Sequence, residues 1–93
     1  MHRPTHPGLL FRRQFLEPLG VSVTEAAKRL RISRKSLSEF LNAKTRLSLP
    51  MAKRLAAAFP KTDAEFWLRI QLQYDVAHAG RIRVPRIEPF NAA

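Results

Sequence analysis

Four side chains near the middle of the chain are of the types that hydrogen-bond to the edges of DNA base pairs. Arg34 and Lys35 are adjacent, and Ser38 and Glu39 follow about one helical turn later. Arginine binds guanine through two parallel hydrogen bonds, worth about 1 to 3 kcal/mol of discrimination, and glutamate can accept a hydrogen bond from cytosine N4. If one helix presents all four side chains, we expect them to contact bases in a major groove.

Hydroxyl, amide and basic side chains surround these positions. Such groups at helix starts and in loops usually bind backbone phosphates, which orients a protein on DNA without reading its sequence. The candidates for this role are Ser22, Thr24, Ser33, Asn42, Lys44 and Arg46.

A pair of short amphipathic helices would position both sets of side chains. Ser22 with Glu25 forms a capping-box pattern before the first helix, and Ser33 caps a second helix that is predicted to run to about Leu41. With the turn 31–33 between them, the two patterns predict a helix-turn-helix, whose second helix enters the major groove. The inward stripe of this second helix consists of Leu37, Phe40 and Leu41.

Three further helices are expected around this pair. The first begins at Pro7 and is predicted to end in the segment that contains Pro18 and Gly20. The fourth is capped by Ser48 and stopped by Pro60.

The fifth helix is predicted to cover residues 64–79 and to be closed by Gly80. Two starts are open: Asp63 caps the helix directly, or Thr62 and Glu65 form a second capping box.

The last residues differ in character from the helices. Residues 81–93 alternate basic and apolar side chains between prolines, which predicts a short strand or an extended arm. The predicted fold class is therefore all-α, a five-helix bundle over residues 1–80 that contains the helix-turn-helix, followed by a basic C-terminal extension.

The composition favours a polyanionic partner. The 93 residues suit one domain with one small core, and 17 Lys+Arg against 7 Asp+Glu give a net charge of +10 at pH 7. No apolar run approaches the roughly 18 residues of a membrane span, and the first seven residues lack the pattern of a secretory signal. We expect a cytoplasmic protein that binds double-stranded DNA and no membrane.

Catalysis, cofactors and metal ions are not expected. The carboxylates are scattered, and no set of acid, base and nucleophile is apparent. The absence of cysteine removes disulfides and thiolate metal sites. His2 and His6 are four residues apart but flank Pro4, and His78 stands alone, so neither pattern indicates a metal site.

The basic charge also has a simpler interpretation. Between Thr24 and Arg54 there are nine Lys or Arg residues, accompanied only by Glu25 and Glu39. A charge run is often merely a solvated face, and short helix pairs occur in helical bundles of many functions. The charge excess favours DNA binding over this alternative without deciding it.

The fifth helix carries more apolar side chains than one small core would cover. The predicted dimer interface consists of Phe66, Trp67, Ile70 and Tyr74, and a second apolar line contains Leu68, Leu72 and Val76. The alternative is that all of them pack within one chain. In a dimer built through this helix, the two recognition helices would meet successive major grooves about 34 Å apart, which predicts a palindromic operator.

Several segments carry a family resemblance, some of them outside the helix-turn-helix. They are His6-Pro-Gly8, Phe15-Leu-Glu-Pro-Leu-Gly20, Ile32-Ser-Arg34, Leu41-Asn42, Met51-Ala52, Arg54-Leu55-Ala56 and Glu65-Phe-Trp-Leu68, with Gln71, Tyr74 and Asp75. Together they resemble the HigA-type antitoxins of bacterial toxin–antitoxin operons, over about residues 6 to 79.

The resemblance implies a dimeric domain of the phage-repressor type, which represses its own operon and binds a HigB-type toxin, a ribosome-dependent mRNA endonuclease. By position, it implies that Arg34, Lys35, Ser38 and Glu39 face the bases and that Ser33, Asn42, Lys44 and Arg46 face the backbone. Two alternatives remain open: a stand-alone phage-type repressor, and a protein-binding inhibitor without operator affinity.

The sequence departs from the family pattern in two places. Arg31 stands at the turn position that usually holds glycine, and a left-handed arginine there would cost on the order of 1 kcal/mol. In the first helix, Leu9, Arg13 and Gln14 stand where relatives commonly carry acids.

Overall fold

Side-chain caps set the start of most helices in the computed structural model, which describes residues 3–90. Helix α2 (Val23–Leu30) begins after Ser22, whose hydroxyl accepts from the amide of Glu25 at 3.1 Å, and α3 (Arg34–Leu41) begins after Ser33 in the same way. Helix α4 (Leu49–Ala58) is capped by Ser48. The sequence predictions for these starts are confirmed.

Helix α1 begins at Pro7, as predicted, but is not a regular α-helix throughout. It consists of Pro7–Phe11, a π-helical segment Arg12–Leu16 and a final turn Glu17–Leu19. As predicted, the helix ends in the segment that contains Pro18 and Gly20, and Gly20 has the left-handed conformation (φ 67°) that allows the chain to reverse. The π-helical segment precedes Pro18, whose ring in a regular α-helix would meet the carbonyl four residues earlier.

Helix α5 (Ala64–Ala77) resolves the choice between two starts. Asp63 is the cap and accepts from the amide of Phe66 at 2.7 Å. The capping box of Thr62 is not formed, because the Thr62 hydroxyl donates to the carbonyl of Phe59 and accepts from the indole N–H of Trp67.

The chain leaves the bundle soon after α5. The helix ends two residues earlier than expected, and Gly80 lies in a single 3₁₀ turn, Ala79–Arg81. Residues 82–90 are extended and exposed without forming a strand, so the arm rather than the strand is observed. Residues 91–93 of the predicted extension, and His2, lie outside the described residues.

The core is a cluster of aromatic and aliphatic side chains shared by all five helices. Phe11 and Trp67 are fully buried, with ring centroids 5.8 Å apart, and Phe15 and Phe59 pack against Phe11. Leu37 and Leu41 join the recognition helix to it. The fold over residues 3–90 is all-α, as predicted, and this core fixes the orientation of α3.

Helices α1, α2 and α3 end in the same hydrogen-bonded motif. In each, a residue in the left-handed region is followed by an amide that bonds back five residues: Gly20 (φ 67°), Arg31 (φ 60°) and Ala43 (φ 60°). Only the first is glycine, so the left-handed alternative considered for Arg31 is the observed one. Ala43 was not anticipated from the sequence.

Neither a membrane-spanning helix nor a metal-binding cluster is found in the part of the chain that the structure describes. Among residues 3–90, no helix combines the length and apolar character needed to cross a bilayer. Over the same residues, no group of three or more histidine or acidic side chains is arranged to hold a metal ion.

Candidate nucleic-acid interface

The outward face of α3 carries the four side chains predicted to contact bases. Arg34 and Lys35 are exposed in the first turn, and Ser38 and Glu39 are half-buried one turn later. The stripe Leu37, Phe40 and Leu41 lies on the opposite side and is buried, as predicted. The helix therefore presents a polar ridge whose N-terminal end is basic.

Arg34 is held in place by the preceding helix. Its Nε donates to the hydroxyl of Thr24 at 3.0 Å, which ties the start of α2 to the start of α3. The bond uses Nε alone, and a guanidinium has two terminal amino groups in addition. Arg34 can therefore make a bidentate contact while Thr24 fixes the direction of the side chain.

The capping serines have less hydrogen-bonding capacity than the sequence suggests. Ser33 accepts from the amide of Ser36 at 3.0 Å, and its own hydroxyl donates to the Ser36 hydroxyl at 2.9 Å. The Ser22 hydroxyl accepts from the amide of Glu25. What these helix starts offer an anion is chiefly backbone N–H groups and the positive end of the helix dipole.

Asn42 closes the end of α3. Its amide Nδ2 donates to the carbonyl of Ser38 at 2.8 Å, and its Oδ1 accepts from Arg12 at 3.4 Å. Most of its capacity is used within the chain, although the side chain is exposed.

The loop after α3 presents two basic side chains. The side chain of Lys44 is exposed and makes no hydrogen bond or ion pair with the residues that the structure describes. Arg46 is also exposed, but its Nη1 lies 2.7 Å from Oδ2 of Asp75 on α5. Arg46 can therefore reach a phosphate only by sharing or leaving this carboxylate.

Most of the positive charge of the helix-turn-helix and its following loop is not neutralised by ion pairs within residues 3–90. Residues 22–46 contain seven basic and two acidic side chains, a net charge of 7 − 2 = +5. Ion pairs within residues 3–90 join Arg12 to Glu17, Arg46 to Asp75 and Arg69 to Glu65, and none involves α2 or α3. A surface of this charge attracts polyanions, and a major groove is wide enough to admit a single exposed helix such as α3.

The loop depends on residues that the sequence did not single out for the site. His6, before α1, and Gln71, on α5, both bond to the backbone of the loop and are buried. No periodic pattern marks either of them. The sequence feature that could have identified them is that both belong to the segments that carry the family resemblance.

The predicted dimer residues of α5 do not share one environment. Trp67 is fully buried against Phe11 and Phe15, so its side chain has no surface left for a second subunit, and this part of the interface prediction is wrong. Ile70 is half-buried against the core, and Tyr74 packs edge-on against His6. Phe66 is 42% exposed.

The second apolar line of α5 is the more exposed one. Leu72 and Val76 are 60% and 65% exposed, and they lie beside the N-terminal segment at Arg3 and Pro4. The alternative that all apolar side chains of α5 pack within one chain is therefore wrong for these two residues.

Comparison with known proteins identifies relatives of this architecture. Residues 13–66 match the family model described as helix-turn-helix. Virulence-associated protein A of Dichelobacter nodosus is 40% identical over 93 residues, which are 100% of this chain and 91% of the relative. Antitoxin HigA-1 of Vibrio cholerae is 36% identical over 74 residues, 80% of this chain and 69% of the relative.

A solved structure is similar over most of its length. It is the Pseudomonas aeruginosa antitoxin HigA with the higBA promoter, at a TM-score of 0.79 and 33% identity, covering 85% of both chains. The resemblance to HigA-type antitoxins drawn from the sequence motifs is confirmed by these comparisons.

Proposed function

The chain belongs to the helix-turn-helix family, and from this premise we propose that it is a dimeric antitoxin of the HigA type that represses its own toxin–antitoxin operon. The observation that carries the proposal is the exposed, un-neutralised basic ridge of α3, in a chain similar to an antitoxin solved with promoter DNA. Its relatives include proteins named as a transcriptional regulator and as an antitoxin, and we propose no catalytic activity for this chain.

The ridge of α3 reads the bases in this proposal. Arg34 and Lys35 contact base edges near the start of the helix, and Ser38 and Glu39 contact them one turn further on. Backbone N–H groups at Ser22 and Ser33, with the side chains of Thr24, Asn42, Lys44 and Arg46, contact phosphates. Of these, Lys44 has the fewest competing partners within residues 3–90.

A second subunit accounts for surface that one chain leaves exposed. The accessible area is 7468 Å², whereas a monomeric protein of 10.7 kDa is expected to expose about 5,500 Å². The exposed arm 82–90 contributes to this difference of about 2,000 Å², so the support for a second subunit comes from the apolar side chains that remain exposed. The exposed apolar side chains on α5 and the arm are Phe66, Leu72, Val76, Ile82, Val84, Ile87 and Phe90.

We place the dimer interface on Leu72 and Val76 of α5, with Phe66 at its edge and the arm 82–90 beside it. Leu72→Glu is expected to give a monomer in sedimentation equilibrium, because it buries a charge in this interface. Leu19→Glu is the matched control, since Leu19 is similarly exposed (61%) and lies at the end of α1, outside the proposed interface. A monomeric wild-type chain, or a dimer that tolerates Leu72→Glu, would contradict the placement.

DNA binding is tested by titrating the dimer against its own upstream region and against random duplex at several salt concentrations. The proposal requires tighter binding to the upstream region, with protection of two half-sites about 34 Å apart. Equal affinity for both duplexes would leave a protein-binding inhibitor as the better description.

The toxin partner is supported by the similarity to antitoxin HigA-1 and is tested separately. The chain is co-expressed with the product of the adjacent gene, and the purified complex is assayed for loss of the toxin's mRNA cleavage. Operator binding without any complex would favour a stand-alone phage-type repressor.

A further inference from the structure

The loop after the recognition helix is bound on one side by His6. Nδ1 of His6 accepts from the amide of Gly8 at 2.9 Å, so the ring proton lies on Nε2, which donates to the carbonyl of Thr45 at 2.9 Å. The ring is 5% exposed and is enclosed by Phe40 and Tyr74. His6 is thus an N-cap of α1 and a donor to the loop at the same time.

Gln71 binds the same loop from α5. Its Oε1 accepts from the amide of Leu47 at 2.7 Å, and its Nε2 donates to Oδ1 of Asp75 at 2.9 Å. The other oxygen of Asp75 lies 2.7 Å from Arg46. The backbone at residues 45 and 47 is therefore held by two buried side chains, and the intervening Arg46 by a third group.

The start of α1 packs so closely against α3 that the hydrogen bond from His6 to the loop is held in a fixed position. A Cβ built on Gly8 would lie 1.8 Å from the carbonyl oxygen of Phe40, so the start of α1 lies directly against the end of α3. His6 is thereby fixed relative to α3, and the loop is fixed relative to His6.

We propose that His6 and Gln71 are positioning residues for DNA binding, which hold the loop so that Lys44 and Arg46 meet the backbone phosphates. The proposal rests on the proposed function. An unanchored loop would have to lose its conformational freedom on binding, and this loss would weaken both phosphate contacts. Neither residue touches DNA in this scheme.

Two substitutions separate the two hydrogen bonds of His6. In His6→Asn the short amide can still accept from Gly8 but cannot reach Thr45, whereas in His6→Gln the longer amide can donate to Thr45 but no longer caps α1. The affinity for operator and random duplex is measured against salt concentration for each variant. Each lost phosphate contact lowers the salt slope by about 0.9 and the affinity about eightfold at 0.1 M salt.

We expect His6→Asn to lower the slope by about one to two on both duplexes and His6→Gln to keep the wild-type slope. Both variants are expected to melt at lower temperature, so stability alone does not distinguish them. If His6→Asn does not fold, Gln71→Met replaces it in the test. This substitution removes the hydrogen bond from the amide of Leu47 to Gln71, and we expect the same decrease in salt slope.

The decisive control is the double substitution Lys44→Ala, Arg46→Ala. If His6 acts through the loop, His6→Asn lowers the slope no further in this background. A further decrease there, or a wild-type slope for folded His6→Asn, would overturn the proposal. A wild-type chain whose DNA affinity does not depend on salt would instead refute the proposed function.

Discussion

The recognition helix and the loop that follows it differ in what determines their conformation. Helix α3 is set by neighbours in sequence: Ser33 caps it, and Leu37 and Leu41 anchor it at helical spacing. The loop is set by His6 and Gln71, which are 39 and 24 residues from the atoms they bind. The surface that we propose reads bases is thus encoded locally, while the surface that we propose meets phosphates depends on the assembled bundle.

The largest expected effect comes from disrupting the close packing of the N-terminal segment against α3. Gly8→Ala places a methyl group against the Phe40 carbonyl, and we expect it to lower the free energy of unfolding by about 3 kcal/mol, at the upper end for overpacking. Denaturant titration measures the change.

Gly80→Ala is the matched control for this substitution, because a Cβ added there would have nothing within 4 Å and the backbone of Gly80 is not left-handed. We expect it to change stability by less than about 0.5 kcal/mol. Equal losses from the two variants would show that the close approach at Gly8 is not what destabilises the protein.

The next effect separates base reading from phosphate binding. Arg34→Ala is expected to cost about 1 to 3 kcal/mol on the operator and much less on random duplex, since it removes the bidentate base contact that we propose for Arg34. Lys44→Ala is expected to weaken both duplexes alike, about eightfold at 0.1 M salt. Competition titrations on the two duplexes measure both. If Arg34→Ala weakened them equally, Arg34 would be a phosphate contact.

Acid should weaken the anchor of the loop before it affects α3. Burial lowers the pKa of His6 below its ordinary value of 6.5, although the hydrogen bond to Thr45 and the nearby Asp75 oppose this shift. Below pH 6.5 the unfolded chain then binds a proton that the folded chain does not, so this contribution is complete above pH 6.5 and is lost as the pH falls.

Denaturant titration from pH 7.5 to 5 should therefore show stability rising with pH in the window just below 6.5, by at most about 1.4 kcal/mol per pH unit for one proton. His6→Gln should remove this component, because its amide does not titrate. Asp75 is the charged group that acts on His6. An unchanged pH profile in His6→Gln would show that His6 is not the source of the dependence.

Contacts between residues close in sequence could be predicted, whereas contacts between residues distant in sequence could not. The caps Ser22, Ser33 and Ser48 were predictable because each bonds to an amide three residues ahead. Trp67 was misassigned to a dimer interface because helical periodicity gives an apolar face but not which neighbours cover it. The ties of Arg46 to Asp75 and of Leu47 to Gln71 were not predictable, since they form only when α5 packs beside the loop.

The smallest expected effect compares the backbone strain at the end of α2 with that at the end of α3. Arg31 ends α2 within the helix-turn-helix and Ala43 ends α3 at the loop, both with φ of 60°. Replacing either residue by glycine removes the cost of a left-handed side chain, about 1 kcal/mol, but gives the unfolded chain more conformational freedom. We therefore expect Ala43→Gly to raise the free energy of unfolding by about 0.5 kcal/mol in denaturant titration.

Arg31→Gly should raise the free energy of unfolding by a similar amount while lowering DNA affinity slightly, because it also removes a positive charge near the duplex in the proposed complex. A loss of stability in Ala43→Gly would mean that the Ala43 methyl group makes contacts in the loop that outweigh the strain, and that side-chain packing, in addition to His6 and Gln71, holds the loop in place.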